Sequence, residues 1–206
     1  MKSPRLSRFA LLLLPLLAAL LLGGCQRHAL PFKLTDLSGH MPDLKFQLTD
    51  DNGKTVTATD FRGKVVLLYF GYTHCPDVCP TTLAQTVAAL RKLGAAGDDV
   101  RILFVSVDPA RDTPAVLHAY ADAFDKKRRV VGLTGSPGAI EALSKRYRSA
   151  FTREPSSKSG DYEVTHSAGI YVFDRDGRAR VLSTPATPPA DLVHDLDLLL
   201  AAGASS

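Results

Sequence analysis

The chain has 206 residues, 45% of them hydrophobic, enough for one domain with a full-sized core. Its formal charge of +4 is set by its first residues. Lys2, Arg5 and Arg8 would leave with a cleaved leader, which takes the charge from +4 to +1. The basic balance therefore carries no argument for a nucleic-acid partner. Lys126-Lys127-Arg128-Arg129 is a basic run without interleaved aromatics, and it reads as a solvated connection between a helix and a strand.

Phe9 to Leu22 is a leucine-rich run broken only by Pro15, too short for a comfortable membrane span of roughly 20 residues. Behind a positive region it has the form of a secretory signal. It ends Leu22-Gly23-Gly24-Cys25, which resembles the lipobox of bacterial lipoproteins. This predicts a signal peptide over 1–24, a lipid anchor on Cys25 and a location on the periplasmic face of a bacterial membrane. Residues 25–43 contain Pro31, Gly39 and Pro42 and read as a lipidated tether, leaving 44–206 as the domain.

In chain order, Phe46–Leu48 and Val56–Ala58 flank Asn52-Gly53, a strong hairpin signal. Val65–Phe70 is a continuous apolar run, as in a strand buried on both faces. Pro80 opens a helix carrying Leu83, Val87, Leu90 and Leu93, and Ile102–Val107 is a second buried strand. Thr113-Pro114 caps a helix, Val130–Leu133 is a short strand, and Ser136-Pro137 opens another helix. Thr152 to Asp161 lacks anchoring apolar residues and reads as a mobile loop. Ile170–Phe173 and Ala179–Leu182 form a hairpin around Asp176-Gly177, and Pro189–Leu200 is the last helix. Alternating strands and helices closed by a hairpin and helix predict an α/β, thioredoxin-like fold. The first hairpin and the strand-helix unit near 130–147 are additions to it.

Three cysteines are present. With Cys25 lipidated, Cys75 and Cys79 remain, to form a structural disulfide, a redox couple or a metal site. A bridge closing three intervening residues stabilises little. Sites in open α/β sheets form at the carboxyl edge of the parallel strands. Cys75 and Asp108 follow two such strands, and His166 precedes a strand expected to run antiparallel, so topology brings all three to one edge. Residues four apart in a first helical turn share a face. Two soft thiolates and an imidazole suit copper, and the adjacent helix N-terminus should favour thiolate. Asp108 is a candidate to orient His166, against a loop or capping role. His74 points away from its neighbour Cys75, Asp77 reads as a turn residue, and Arg111 and Asp112 as preparing the next helix.

Gly71-Tyr72-Thr73-His74-Cys75-Pro76-Asp77-Val78-Cys79-Pro80, Ser106-Val107-Asp108-Pro109-Ala110-Arg111-Asp112-Thr113, Asp161-Tyr162 and Thr165-His166 together resemble the Sco/SenC family. The resemblance implies a thioredoxin fold and copper binding in maturation of the binuclear copper site of cytochrome c oxidase. It implies metal ligands at Cys75, Cys79 and His166, and the oxidase's copper-site subunit as partner. Where thioredoxins carry a proline, Thr165-His166-Ser167 has none, which favours metal binding. The chain thus reads as a carrier rather than an enzyme. The alternative is an extracytoplasmic thiol–disulfide oxidoreductase in which Cys75 attacks and Cys79 resolves. Either use requires a thioredoxin-like reductant to keep the pair reduced.

Overall fold

The structure, a computed structural model, describes residues 30–155 and 162–203. The expected leader and Cys25 lie outside the described residues. The chain separates into Met1–Pro31 and a domain unit, Phe32–Ser206.

Among the described residues the domain has ten strands and four α-helices: β1 Thr35–Asp36, β2 Gln47–Asp50, β3 Thr55–Thr57, β4 Val65–Gly71, α1 Val78–Lys92, β5 Val100–Ser106, α2 Pro114–Phe124, β6 Val130–Thr134, α3 Pro137–Arg146, β7 Phe151–Pro155, β8 Tyr162–His166, β9 Ile170–Phe173, β10 Ala179–Ser183 and α4 Pro189–Ala202. Eight strands form one sheet in the order β1-β10-β9-β4-β5-β6-β2-β3. β4, β5 and β6 are parallel, whereas β9 runs antiparallel to β4. This is the expected βαβ followed by ββα. The two additions meet, because β2 pairs antiparallel with β6 through Thr49 and Thr134. Every residue of β4 is buried, which is why its sequence is apolar without alternation. Gly53, at φ 79°, supplies the left-handed residue that the turn between β2 and β3 needs.

Three expectations are corrected. The stretch 32–43, read as tether, is built into the domain. β1 pairs with β10, and the N–H groups of Lys33 and Leu34 donate to the buried Asp195 carboxylate at 2.9 to 3.1 Å. These ties are backbone bonds to a distant carboxylate and strand, which local composition does not reveal.

The second concerns 152–161. Residues 152–155 are strand, not loop: β7 pairs with β8 from Phe151↔His166 to Pro155↔Tyr162 in a separate two-stranded sheet. Residues 156–161 lie outside the described residues. Ladder pairing and the buried Val164 anchor a segment whose polar composition reads as irregular.

The third concerns 126–129. Arg128, at φ 58°, donates through Nη2 to both oxygens of the buried Asp51 carboxylate at 2.9 Å, and Arg129 is itself buried. Arg129 donates through Nε and Nη2 to both Asp125 oxygens at 2.8 Å. Charge runs are usually solvated, but a buried guanidinium paired in this way keeps its hydrogen bonds. Arg129→Ala leaves the Asp125 carboxylate buried and unpaired. The expected loss is about 3–5 kcal/mol, read from urea unfolding. The Arg129 hydrogen bonds hold the Asp125 carboxyl below its ordinary pKa. The pair's contribution is therefore full above the unfolded value of about 4 and fades as pH falls through the lower folded value. The wild-type advantage should shrink in acid.

Candidate metal centre

β4 ends at the carboxyl edge of the sheet, and the chain leaves it through Tyr72, Thr73 and His74 to Cys75. Gly71 has to be glycine, because a Cβ there would lie 2.6 Å from the Phe104 ring and 3.0 Å from Cys79 Sγ. α1 begins at Val78, so Cys79 sits in its first turn and Pro80 in the position where a missing N–H costs nothing. The Cys79 N–H donates to Cys75 Sγ at 3.3 Å. Cys75 is half-buried and Cys79 fully buried, and both are free thiols.

β8 carries His166 to the same edge. Its Nε2 lies 3.0 Å from Cys79 Sγ, and one donor atom from each of Cys75, Cys79 and His166 lies within 4.8 Å of the others. His166 Nδ1 donates to the Ser167 carbonyl at 3.0 Å. A carbonyl only accepts, so Nδ1 holds the ring proton and Nε2 turns its lone pair to the sulfurs. The rings of Tyr69 and Tyr72 pack edge-on against the imidazole, with centroids at 6.1 and 5.9 Å. Burial pushes the His166 pKa below its ordinary 6.5, which keeps the ring neutral.

Burial also pushes the Cys79 thiol up to about 12. This corrects the expectation that the helix N-terminus favours thiolate there. Desolvation of the fully buried sulfur outweighs the helix-end field. Cys79 and His166 are therefore both held in their neutral forms, and a thiolate at Cys79 needs a cation beside it. Two sulfurs and an imidazole form a donor set suited to copper, and three donors leave room for another ligand.

The expected role of Asp108 is also corrected. It does not meet the imidazole. Fully buried, it accepts from Arg111 Nε and from the Tyr162 hydroxyl. Arg111 also donates to the Tyr162 carbonyl at 3.4 Å and lies 4.0 Å over its ring. Asp108 thus fixes the first residue of the strand that ends in His166, four residues away. His74 turns to the Thr73 hydroxyl at 3.1 Å and is not one of the clustered donors.

Asp112, read from sequence only as a helix-preparing residue, is the hub of the loop. Fully buried, it accepts from Thr73 N–H at 3.0 Å, Thr73 Oγ1 at 2.6 Å and Ser106 Oγ at 2.6 Å. It thereby ties the approach to Cys75 to the end of β5. Sequence spacing holds no signal for this. For β8 a signal was present: Tyr162 and Val164 alternate with polar residues, a short half-buried strand.

A family model described as SCO1/SenC matches residues 34–201. The chain belongs to the SCO1/SenC family. This member is 43% identical over 134 residues to a mitochondrial protein SCO2 homolog of Bos taurus, across 64% of this chain and 50% of that one. It thus spans about half the length of the curated relatives it matches. Its fold superposes on copper-bound ScoI of Bradyrhizobium japonicum with a TM-score of 0.69 and 43% identity, covering 76% of this chain and 98% of that one. It also resembles BsSco, described as having a disulfide switch and as a member of the Sco family of cytochrome c oxidase assembly proteins. That likeness has a TM-score of 0.63 and 26% identity, over 82% of this chain and 97% of BsSco. The thioredoxin-like fold of this SCO1/SenC member thus agrees with its solved relatives. No helix among its described residues is long and apolar enough to cross a membrane.

Proposed function

We propose that this protein is a copper metallochaperone that holds one copper ion through Cys75, Cys79 and His166 and delivers it to the binuclear copper site of cytochrome c oxidase. The observation that carries this reading is the convergence of two sulfurs, one of them fully buried, and a lone-pair-bearing imidazole. The copper held by the ScoI relative and the oxidase-assembly description of BsSco support it. Three donors leave the ion open to an incoming ligand. A ligand from the copper-site subunit can add before Cys75, the more exposed sulfur, lets go. Cys25 anchors the chain by lipid at the periplasmic face, with the tether now reduced to the few residues before Phe32.

Loading requires Cys79 to give up its proton, since the thiolate is the ligand. Copper addition to reduced protein at neutral pH should therefore release protons, as read in weakly buffered titration. Oxidation of Cys75 and Cys79 to a disulfide removes both thiolates and should abolish loading. If reduced protein bound no copper in dialysis against a competing chelator, the chaperone reading would be wrong.

The contrast between half-exposed Cys75 and buried Cys79 favours a second use of the same pair. As a thiolate, Cys75 attacks a substrate disulfide and releases one substrate sulfur as thiolate. Cys79, after losing its proton, attacks Cys75 and releases the second. The substrate gains two electrons, and the protein is left with a Cys75–Cys79 disulfide. A thioredoxin-like reductant restores it by the reverse exchange. Applied to the acceptor's cysteines, this reaction prepares the site that copper then fills.

A further inference from the structure

α3 and β7 face each other across a cavity of about 560 Å³, apart from the metal centre. Phe151, Ala150 and Pro137 give it apolar walls, and Lys145, Arg148 and Arg153 line it with positive charge; its single acid, Glu141, pairs with Lys145 at 2.6 Å and leaves the two arginines in excess. Three features of these residues point to a ligand.

First, β7 has one neighbour. Its sheet has two strands, so the edge opposite β8 is unpaired among the described residues. Ser167 N–H donates to Ala150 C=O, which makes that position a hydrogen-bonded pair. Antiparallel ladders alternate. Phe151 and Arg153 therefore turn their N–H and C=O groups outward, to the side away from β8. The same alternation turns the Tyr162 carbonyl outward on the other edge, where Arg111 is found donating to it.

Second, Arg148 stands at φ 53°, in the left-handed region that favours glycine, just past the end of α3. The other left-handed arginine, Arg128, is held there by its Nη2 bonds to both Asp51 oxygens. Arg148 is exposed and has no carboxylate partner among the described residues. Its backbone geometry delivers an uncompensated guanidinium to the groove.

Third, the walls and the charge lie along the same open strand edge. Main-chain groups on an open edge give affinity to an added strand, and the flanking side chains give specificity. Exposed edges are ordinarily blocked by charge or a covering element. Here the charges lining the groove all but one carry the same sign, which repels basic chains and admits acidic ones.

We propose that the groove between α3 and β7 docks an extended acidic segment of a partner protein, which adds as a third strand to β7 with a carboxylate against Arg148. A lipid headgroup shares the negative charge but cannot pair with the Phe151 and Arg153 main chain. Phe151 is the residue opposite His166 in the ladder, so docking would be felt next to the metal centre. The surface stands whether or not the centre carries copper.

The test is a titration of the full-length, ¹⁵N-labelled protein in detergent with a blocked Glu-Val-Glu-Thr-Glu peptide, followed by amide chemical shifts. Saturable shifts at Phe151 and Arg153 are expected. Binding should weaken at least tenfold with the lysine counterpart, with the acidic peptide N-methylated at alternate residues, and in Arg148→Glu. Unchanged amide shifts in β4 and β5 would confirm that the variant is folded. The proposal is overturned if no saturable shift occurs between 148 and 153, or if the lysine or N-methylated peptide binds equally well. It is also overturned if phosphatidylglycerol in the micelles, and not the peptide, shifts these residues.

Discussion

Replacing His166 with alanine should lower copper affinity by at least about 100-fold while both thiols remain titratable. Loss of an outer partner of a metal ligand already costs on the order of 10–100-fold, and here a ligand itself is lost. The imidazole is pre-set for the task. Ser167 fixes its tautomer, burial keeps it neutral, and two tyrosine rings hold its plane. The tautomer and charge of the imidazole need not change when the ion arrives. Competition with a chelator of known affinity measures the loss, and thiol titration shows that Cys75 and Cys79 are intact. In the same variant, exchange with a model disulfide should survive, because that reaction uses only the sulfurs. Unchanged copper affinity in His166→Ala would remove the imidazole from the site.

Asp112→Ala should cost about 3 kcal/mol or more of stability and loosen the cysteine loop. The carboxylate accepts three hydrogen bonds in a fully buried position, and hydrogen bonds to charged groups contribute about 1.5–3 kcal/mol each. Alanine strands the Thr73 N–H, the Thr73 hydroxyl and the Ser106 hydroxyl together. Thr73 lies two residues before Cys75, so the loop loses its tie to β5. Urea unfolding measures the first effect. Faster reaction of Cys75 with a thiol reagent in the folded variant measures the second. Asp112→Asn should fall between the two, since its amide oxygen can accept from Thr73 or Ser106 while its NH₂ cannot. A stability loss without a change in Cys75 reactivity would show that Asp112 supports the fold and not the loop.

Much of the architecture was legible because it is written in local patterns. The buried run at 65–70, the Asn52-Gly53 turn and the Thr113-Pro114 and Ser136-Pro137 caps each occupy the expected place. Both helix-capping hydroxyls accept the bonds their spacing predicts, Thr113 from Val116 and Ser136 from Ala139. The segments misread were those whose partners lie far away. In the basic run at 126–129, Lys126 and Lys127 are exposed as expected, but Arg128 and Arg129 are not solvated; Asp51 is 77 residues from Arg128. Most of β7 looked like loop because its composition is polar and, among the described residues, β8 is its single neighbour.

The same division runs through the metal centre. The sequence alone placed two thiols four residues apart, between a buried strand and a helix. Its motifs indicated the SCO1/SenC family, and the order of its elements sent His166 towards the same sheet edge. Only the tertiary structure decided what these groups are chemically. It buried Cys79 and so raised its pKa against the pull of the helix end. It pointed the Nδ1–H of His166 at the Ser167 carbonyl and moved Asp108 from the imidazole to Tyr162. It also made Asp112 the anchor of the loop. Periodicity and spacing report which face or edge a residue occupies. Solvation and hydrogen-bond partnership depend on atoms brought from 39 or 87 residues away, and no local pattern records them.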